Sequence, residues 1–328
     1  MRIDKYKVIV TGRVLPSVID ALKEQCDLRI WDKNDPIPRD VLYDWVTDAD
    51  GIFCSGKTQV DDELLSYASK ARVIVQASVG YDNIDIEACT KHRIPFGNTP
   101  GVLVEATADL AFGILLSAAR RIHEGWVQVK TGQWVNNYEI PFGNDLYGKK
   151  LGIVGMGSIG AAVARRAQAS GMQVIYHNRR ARQDDSLIGA TYSSLNDLIE
   201  QSDFIVVLVP LSAETHGMFG KAQFSRMKQT AYFINAARGP IVDTDALYDA
   251  LRNNRITYAA LDVTDPEPIS PNHPLLKLNN ILITPHIGSA THETRNRMGL
   301  LAAENLLSGL AFKQLKTCVN PSVNYNES

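Results

Sequence analysis

The sequence predicts an α/β protein built of two doubly wound parallel-sheet units in tandem, and three observations carry that expectation. Short apolar runs of strand length alternate with helix-period stretches along the whole chain. After one long helical stretch the alternation restarts at Lys150. A single core is also hard to extend over 328 residues, so the chain is expected to divide.

In the first series the strand-like runs are Lys7–Val10, Leu28–Trp31, Gly51–Cys54, Val73–Gln76 and Ile94–Gly97, with helical patterns between them such as Leu15–Cys26 and Asp61–Ala68. Leu103–Gly132 then reads as one long helix ending at T-G-Q-W. The second series supplies Leu151–Val154, Gln173–Tyr176, Phe204–Leu208, Ala231–Ile234, Tyr258–Leu261 and Ile281–Ile283, and a last helix covers Glu293–Ser308.

Composition narrows the function classes. With 45% hydrophobic and 21% charged residues and a net charge of -2, the chain reads as globular and offers no basic footprint for nucleic acid. Its longest apolar runs, Leu110–Ala119 and Phe204–Leu211, are too short to span a membrane. The first residues lead straight into a strand, so no secretory signal is expected. Cys26, Cys54, Cys89 and Cys318 are scattered without a C-x-x-C, which argues against a disulfide framework or a zinc site. A cytoplasmic protein with reduced thiols is the expectation.

The run L-G-I-V-G-M-G-S-I-G places G-x-G-x-x-G between a strand and a helix, the context that dinucleotide binding requires. Gly155 permits the turn, Gly157 lets backbone approach a pyrophosphate, and Gly160 lets the helix lie close to the strand. Ser158 and Ile159 are the expected N–H donors at the helix N-terminus. In such a Rossmann unit an acid about 20 residues further on holds the ribose 2′-hydroxyl. Here that place falls in V-I-Y-H-N-R-R, on Asn178, followed by Arg179 and Arg180. Loss of the acid and gain of two guanidinium groups favour NADPH, with NADH possible; solvated surface charge is the other reading.

The set S-V-G-Y-D-N-I-D (78–85), G-I-V-G-M-G-S-I-G (152–160), F-I-N-A-A-R-G (233–239), L-D-V-T-D-P-E-P (261–268) and T-P-H-I-G-S-A (284–290) resembles the D-2-hydroxyacid dehydrogenase family over essentially the whole chain. Within it, S-V-G-Y-D-N, H-N-R-R, S-A-T-H-E-T-R and C-V-N-P look like the bacterial glyoxylate/hydroxypyruvate reductases, a group that also reduces 2-ketogluconate and other 2-ketoaldonates. The resemblance implies a Rossmann cofactor domain, 103–291, inserted into a flavodoxin-like substrate domain, 1–102 and 292–328. It also implies a homodimer formed through the cofactor domain and the helix after Leu103.

The residue types suit reduction of a 2-keto acid. Arg238 follows a buried-strand pattern and can bind the carboxylate with both prongs of its guanidinium. His286 ends another strand and is the natural general acid near neutral pH. By the resemblance, Glu267 is the carboxylate that pairs with it, orienting the ring and stabilising its charged form. The resemblance further gives Val79 and Gly80 as backbone donors to the substrate carboxylate, and Asp262 as acceptor for the nicotinamide carboxamide. Thr107, Val209, Pro210, Thr215, Ala236, Ala237 and Gly288 match positions around the cofactor. Ser55, Gly56 and Lys57 are candidates for the substrate's variable end. Trp134 and Tyr138 read either as core aromatics or as contacts at a dimer or active-site edge. His286 and His292 lack H-E-x-x-H spacing and a carboxylate cluster, so no metal site is expected. Glu267 stands where formate dehydrogenases carry Gln. A short-form phosphoglycerate dehydrogenase and a non-enzymatic, dinucleotide-sensing corepressor-like protein are the alternatives.

Overall fold

The computed structural model describes residues 5–139, 142–184 and 188–323. The chain divides into two compact units: one runs to Leu103 and resumes at Thr291, and the other is Val104–Ala290.

The first unit alternates β1 (Tyr6–Val10), α1 (Pro16–Leu22), β2 (Cys26–Ile30), α2 (Arg39–Val46), β3 (Gly51–Cys54), α3 (Asp62–Tyr67), β4 (Val73–Gln76), α4 (Ile86–Lys91) and β5 (Phe96–Gly97). All its ladders are parallel, in the order β2-β1-β3-β4-β5. Successive strand residues face opposite sides, so the near-continuous apolar runs feed two cores. Ile9, Ile52 and Ile74 pack with Leu42, Leu64 and Ala88 of the helices on one face. Val8, Val10, Val73 and Val75 pack on the other face with Ala302, Leu306 and Leu310 of the C-terminal helix, His292–Leu310. That helix lies close against the sheet: a Cβ on Gly309 would stand 2.4 Å from Val73.

The second unit begins with α5 (Val104–Arg120) and α6 (Ile122–Lys130). It continues through β6 (Lys150–Val154), α7 (Ser158–Ala169), β7 (Gln173–His177), β8 (Thr191–Tyr192), α8 (Leu195–Gln201), β9 (Phe204–Val207), α9 (Lys221–Arg226), β10 (Tyr232–Asn235), α10 (Thr244–Arg252), β11 (Tyr258–Leu261) and β12 (Ile281–Ile283). The helix His292–Leu310 of the first unit is therefore α11. The strands form a parallel sheet in the order β12-β11-β10-β9-β6-β7-β8. From β6 the chain winds outward to β7 and β8, then returns to β9 on the other side of β6. That reversal makes the carboxyl ends of β6 and β9 the switch point where doubly wound sheets bind ligands.

The stretch Leu103–Gly132 is not one helix. Arg121 adopts a left-handed φ of 52° and separates α5 from α6. An arginine in that conformation has no sequence signature, unlike glycine. β2 starts two residues earlier than its pattern indicated, because Tyr6 to Val10 pair with Cys26 to Ile30.

The four cysteines are free thiols. Burial pushes the Cys26 thiol up to about 11 and that of Cys89 up to about 12, so both stay protonated at neutral pH. No helix among the described residues is long and apolar enough to cross a membrane.

Candidate active site

The phosphate loop is shaped by what its glycines lack. Gly155 has a φ of 103°, and a Cβ there would lie 2.6 Å from the Leu208 carbonyl carbon and 2.7 Å from the Val209 nitrogen. A Cβ on Gly160 would lie 2.4 Å from the Gly155 oxygen. Gly157 precedes α7 with open space beside it, and no side chain caps the helix. The N–H groups of its first turn, from Ser158 and Ile159 onward, thus lack side-chain partners and suit an anion. This arrangement fits a dinucleotide pyrophosphate.

Asn178 follows β7, and its side chain turns inward. Its Oδ1 accepts from Met156 N–H at 2.7 Å, so Asn178 braces the phosphate loop from the neighbouring strand end. Arg179 and Arg180 are exposed beside it. Glu214 registers the charge of Arg179: the Ser212 hydroxyl holds its carboxyl below the ordinary range, and Arg179 adds to that effect. On the same turn, Thr215 Oγ1 donates to Pro210 O at 2.7 Å and accepts from Ser212 N–H at 2.8 Å. Val209 and Pro210 lead from β9 into that turn.

The ends of β10, β11 and β12 lie level, with Asn235 paired to Leu261 and Leu261 to Ile283. From them emerge Ala236, Ala237 and Arg238, then Asp262, then His286. His286 Nδ1 lies 2.6 Å from Glu267 Oε1, with both side chains 43% exposed. Burial pushes the Glu267 carboxyl up. The hydrogen bond and charge of His286, a backbone N–H at Thr264 and the charge of Arg238 outweigh it and hold the group below the ordinary carboxylate range. Asp262 is buried and accepts from Thr284 Oγ1 (2.6 Å), Ile287 N–H (2.9 Å) and Gly288 N–H (2.8 Å). It therefore fixes the turn on which His286 sits at a φ of 52°. A Cβ on Gly288 would meet Asp262 Oδ2 at 3.2 Å and Thr107 Cγ2 at 3.4 Å, which places Thr107 of α5 at the same edge.

In the first unit, Val79 and Gly80 follow β4, and Ser55, Gly56 and Lys57 follow β3. Gly56 and Lys57 are exposed. Trp134 and Tyr138 are not core aromatics; they are 58% and 88% exposed.

The sequence pattern described as the NAD binding domain of D-isomer specific 2-hydroxyacid dehydrogenases matches residues 112–288. The chain belongs to the D-isomer-specific 2-hydroxyacid dehydrogenase family. It is similar to the glyoxylate reductase of Korarchaeum cryptofilum, 44% identical over 94% of this chain and 93% of that one. It is also similar to glyoxylate/hydroxypyruvate reductase B of Klebsiella pneumoniae, 46% identical over 84% and 86%. Among solved structures, the NADPH-dependent glyoxylate/hydroxypyruvate reductase of Sinorhizobium meliloti in complex with NADP and malonate has a TM-score of 0.88 and 30% identity, covering 99% of this chain and all of that one. Like its family, the chain is an NAD(P)-dependent oxidoreductase.

Three residues at the edge of this family's sheet went unread in the sequence. Asn235 Nδ2 donates to Arg238 O (2.9 Å) and its Oδ1 accepts from Ala237 N–H (3.0 Å), which shapes the turn bearing Arg238. Its signal was a polar residue closing a buried strand. Thr284 steadies Asp262, as above. Arg182 donates from Nη1 to Met156 O at 2.9 Å while Asp184 grips its other nitrogens at 2.7 and 2.8 Å. Together Asn178 and Arg182 hold both ends of the Met156 peptide region, inside the phosphate loop.

Proposed function

We propose that the protein reduces small 2-keto acids (glyoxylate, hydroxypyruvate and, with a longer tail, 2-ketogluconate) to D-2-hydroxy acids, using NADPH in preference to NADH. The observation that carries this reading is the 2.6 Å His286–Glu267 pair at the same sheet edge as Arg238. Arg238 binds the keto acid's carboxylate and polarises its carbonyl. NADPH, when bound, would supply the hydride for the carbonyl carbon. Charged His286 gives its Nε2 proton to the carbonyl oxygen, leaving a neutral ring and a hydroxyl group, while the Glu267 carboxylate on Nδ1 keeps the ring oriented. Reduction consumes a proton, so it is favoured at lower pH and oxidation at higher pH.

We assign the N–H groups of Val79 and Gly80 to the substrate carboxylate, and Ser55, Gly56 and Lys57 to its tail. The first unit is then the substrate domain and Val104–Ala290 the cofactor domain. Exposed Arg179 and Arg180 are the groups a 2′-phosphate would meet, with no carboxylate at position 178 to repel it. The exposed Ile122, Val129 and Trp134 line a groove of about 340 Å³, and a second copy of the chain is the occupant we assign to it.

The deciding experiment measures kcat/KM for glyoxylate, hydroxypyruvate, 2-ketogluconate and phosphohydroxypyruvate with each coenzyme, alongside sedimentation of the full chain. Turnover of the first two with NADPH ahead of NADH is expected. Coenzyme binding with no keto-acid reduction would end the reading, and a preference for phosphohydroxypyruvate would move it to the phosphoglycerate branch.

A further inference from the structure

The loop Ser78-Val79-Gly80 has every carbonyl engaged from within the first unit. Ser78 O accepts from Thr99 N–H (2.8 Å) and Thr99 Oγ1 (3.1 Å). Val79 O accepts from Asn98 Nδ2 (3.0 Å), and Gly80 O from Gln76 Nε2 (3.0 Å) and Ser78 Oγ (2.6 Å). The N–H groups of Val79 and Gly80 make no hydrogen bond among the described residues. A trans peptide is planar, so its N–H points opposite to its C=O. Gripping Ser78 O therefore aims the Val79 N–H, and gripping Val79 O aims the Gly80 N–H.

The gripping groups are themselves locked. Asn98 is buried, and its own carbonyl accepts from Asn305 Nδ2 (3.3 Å) and Thr317 Oγ1 (2.6 Å). Gln76, also buried, has its Oε1 filled by Asn83 Nδ2 at 2.8 Å. The same Asn83 nitrogen donates to Thr58 O at 2.7 Å. One amide thus ties the Val79–Gly80 loop to the loop that carries Lys57. Thr58 in turn meets Thr11 Oγ1 at 2.6 Å.

Resting on the assignment of Val79 and Gly80 to the substrate carboxylate, we infer that Asn98 and Asn83 are positioning residues for the keto acid. Asn98 aims the Gly80 N–H. Asn83, through Gln76, holds the far end of the loop and couples it to the segment that meets the substrate's tail.

The test uses the full chain and three variants: Asn98→Ala, Asn83→Ala and Thr99→Ala. The last keeps its backbone N–H on Ser78 O. Asn98→Ala should raise the KM for glyoxylate about tenfold, the scale of one well-made hydrogen bond, with NADPH affinity within about twofold because that site lies in the other unit. Asn83→Ala should raise the KM for hydroxypyruvate more than that for glyoxylate, since the longer substrate uses both loops. Thr99→Ala should change either KM by less than about threefold. Hydrogen exchange at the Thr99 amide, which donates to Ser78 O, should quicken in Asn98→Ala and Asn83→Ala but stay near wild type in Thr99→Ala.

If exchange there is unchanged in Asn98→Ala and Asn83→Ala, or if their KM values rise no more than that of Thr99→Ala, the inference is overturned. If wild-type protein turns over no keto acid while exchange quickens as expected, the substrate assignment fails and the positioning of the two N–H groups stands. Should Asn98→Ala fail to fold, Asn83→Ala alone decides, through the same exchange and KM readings.

Discussion

The Gly155–Gly160 loop of one unit and the Ser78–Gly80 loop of the other are held in place by opposite means. The phosphate loop is shaped by absent atoms: its backbone runs where any Cβ at Gly155 or Gly160 would strike a main-chain carbonyl. The Ser78–Gly80 loop is shaped by present ones, a set of amide and hydroxyl groups that turn its carbonyls inward. A loop built from glycine sterics tolerates almost nothing at its glycines. A loop built from hydrogen bonds loses its contributions one at a time, each worth about 1 kcal/mol net.

The harshest way to break this comparison is Gly155→Ala. A left-handed backbone costs an L-residue about 1–2 kcal/mol, and overpacking against fixed atoms adds about 1–3 kcal/mol. The Cβ would meet main chain at Leu208 and Val209, which cannot swing aside. NADPH affinity should fall by about a hundredfold or more, on the scale of that combined cost. The thermal transition of the cofactor-side unit should drop as well. Fluorescence titration with NADPH and calorimetry check both; unchanged affinity would mean that the loop is not held where the sterics place it.

What could be read beforehand follows the same division. Glycines forced by sterics announce themselves, so the strand-turn-helix context and the phosphate loop were legible from G-M-G-S-I-G. Hydrogen-bonded frames do not. Gln76, Asn83 and Asn98 are ordinary polar residues in sequence, and only folding shows that they brace Ser78–Gly80 and tie it to Ser55–Thr58. His286 and Glu267 are separated by 19 positions, and their pairing came from family resemblance rather than from spacing. In the sequence Asn178 reads as a missing acid, and its bond to Met156 is not legible there. The break at Arg121 and the exposure of Trp134 and Tyr138 were also lost, because neither a left-handed arginine nor an uncovered aromatic is marked by its neighbours.

The His286 turn belongs with the hydrogen-bonded class, since Asp262 holds it and Glu267 orients the ring. Glu267→Gln tests that placement. The Glu267 carboxyl lies below its ordinary range in the folded protein. The stability it contributes is therefore present above the unfolded value, and is lost only as pH falls through the folded one. At neutral pH the carboxylate is thus charged throughout. Gln can still accept from Nδ1–H but no longer favours the charged ring. A fall in kcat of about 10–100-fold is expected, less than the full worth of a general acid. An unchanged kcat would separate Glu267 from the proton transfer.

The mildest test works at the seam between the two classes, where hydrogen-bonding side chains brace the steric loop. Arg179→Ala with Arg180→Ala removes exposed charge and leaves the bonds of Asn178 and Arg182 to Met156 intact. It should cost NADPH about tenfold in affinity, with little change for NADH, because only the former carries the 2′-phosphate. Arg182→Ala releases Met156 O while Asn178 still holds Met156 N–H, so the loop loosens without losing its path. Its cost should be about threefold and equal for both coenzymes, since the pyrophosphate is common to them. Titrating each variant with NADPH and NADH separates the two roles. A selective loss of NADPH in Arg182→Ala would make Arg182 a reader of the 2′-phosphate, whereas equal losses in the double variant would return Arg179 and Arg180 to solvated surface charge.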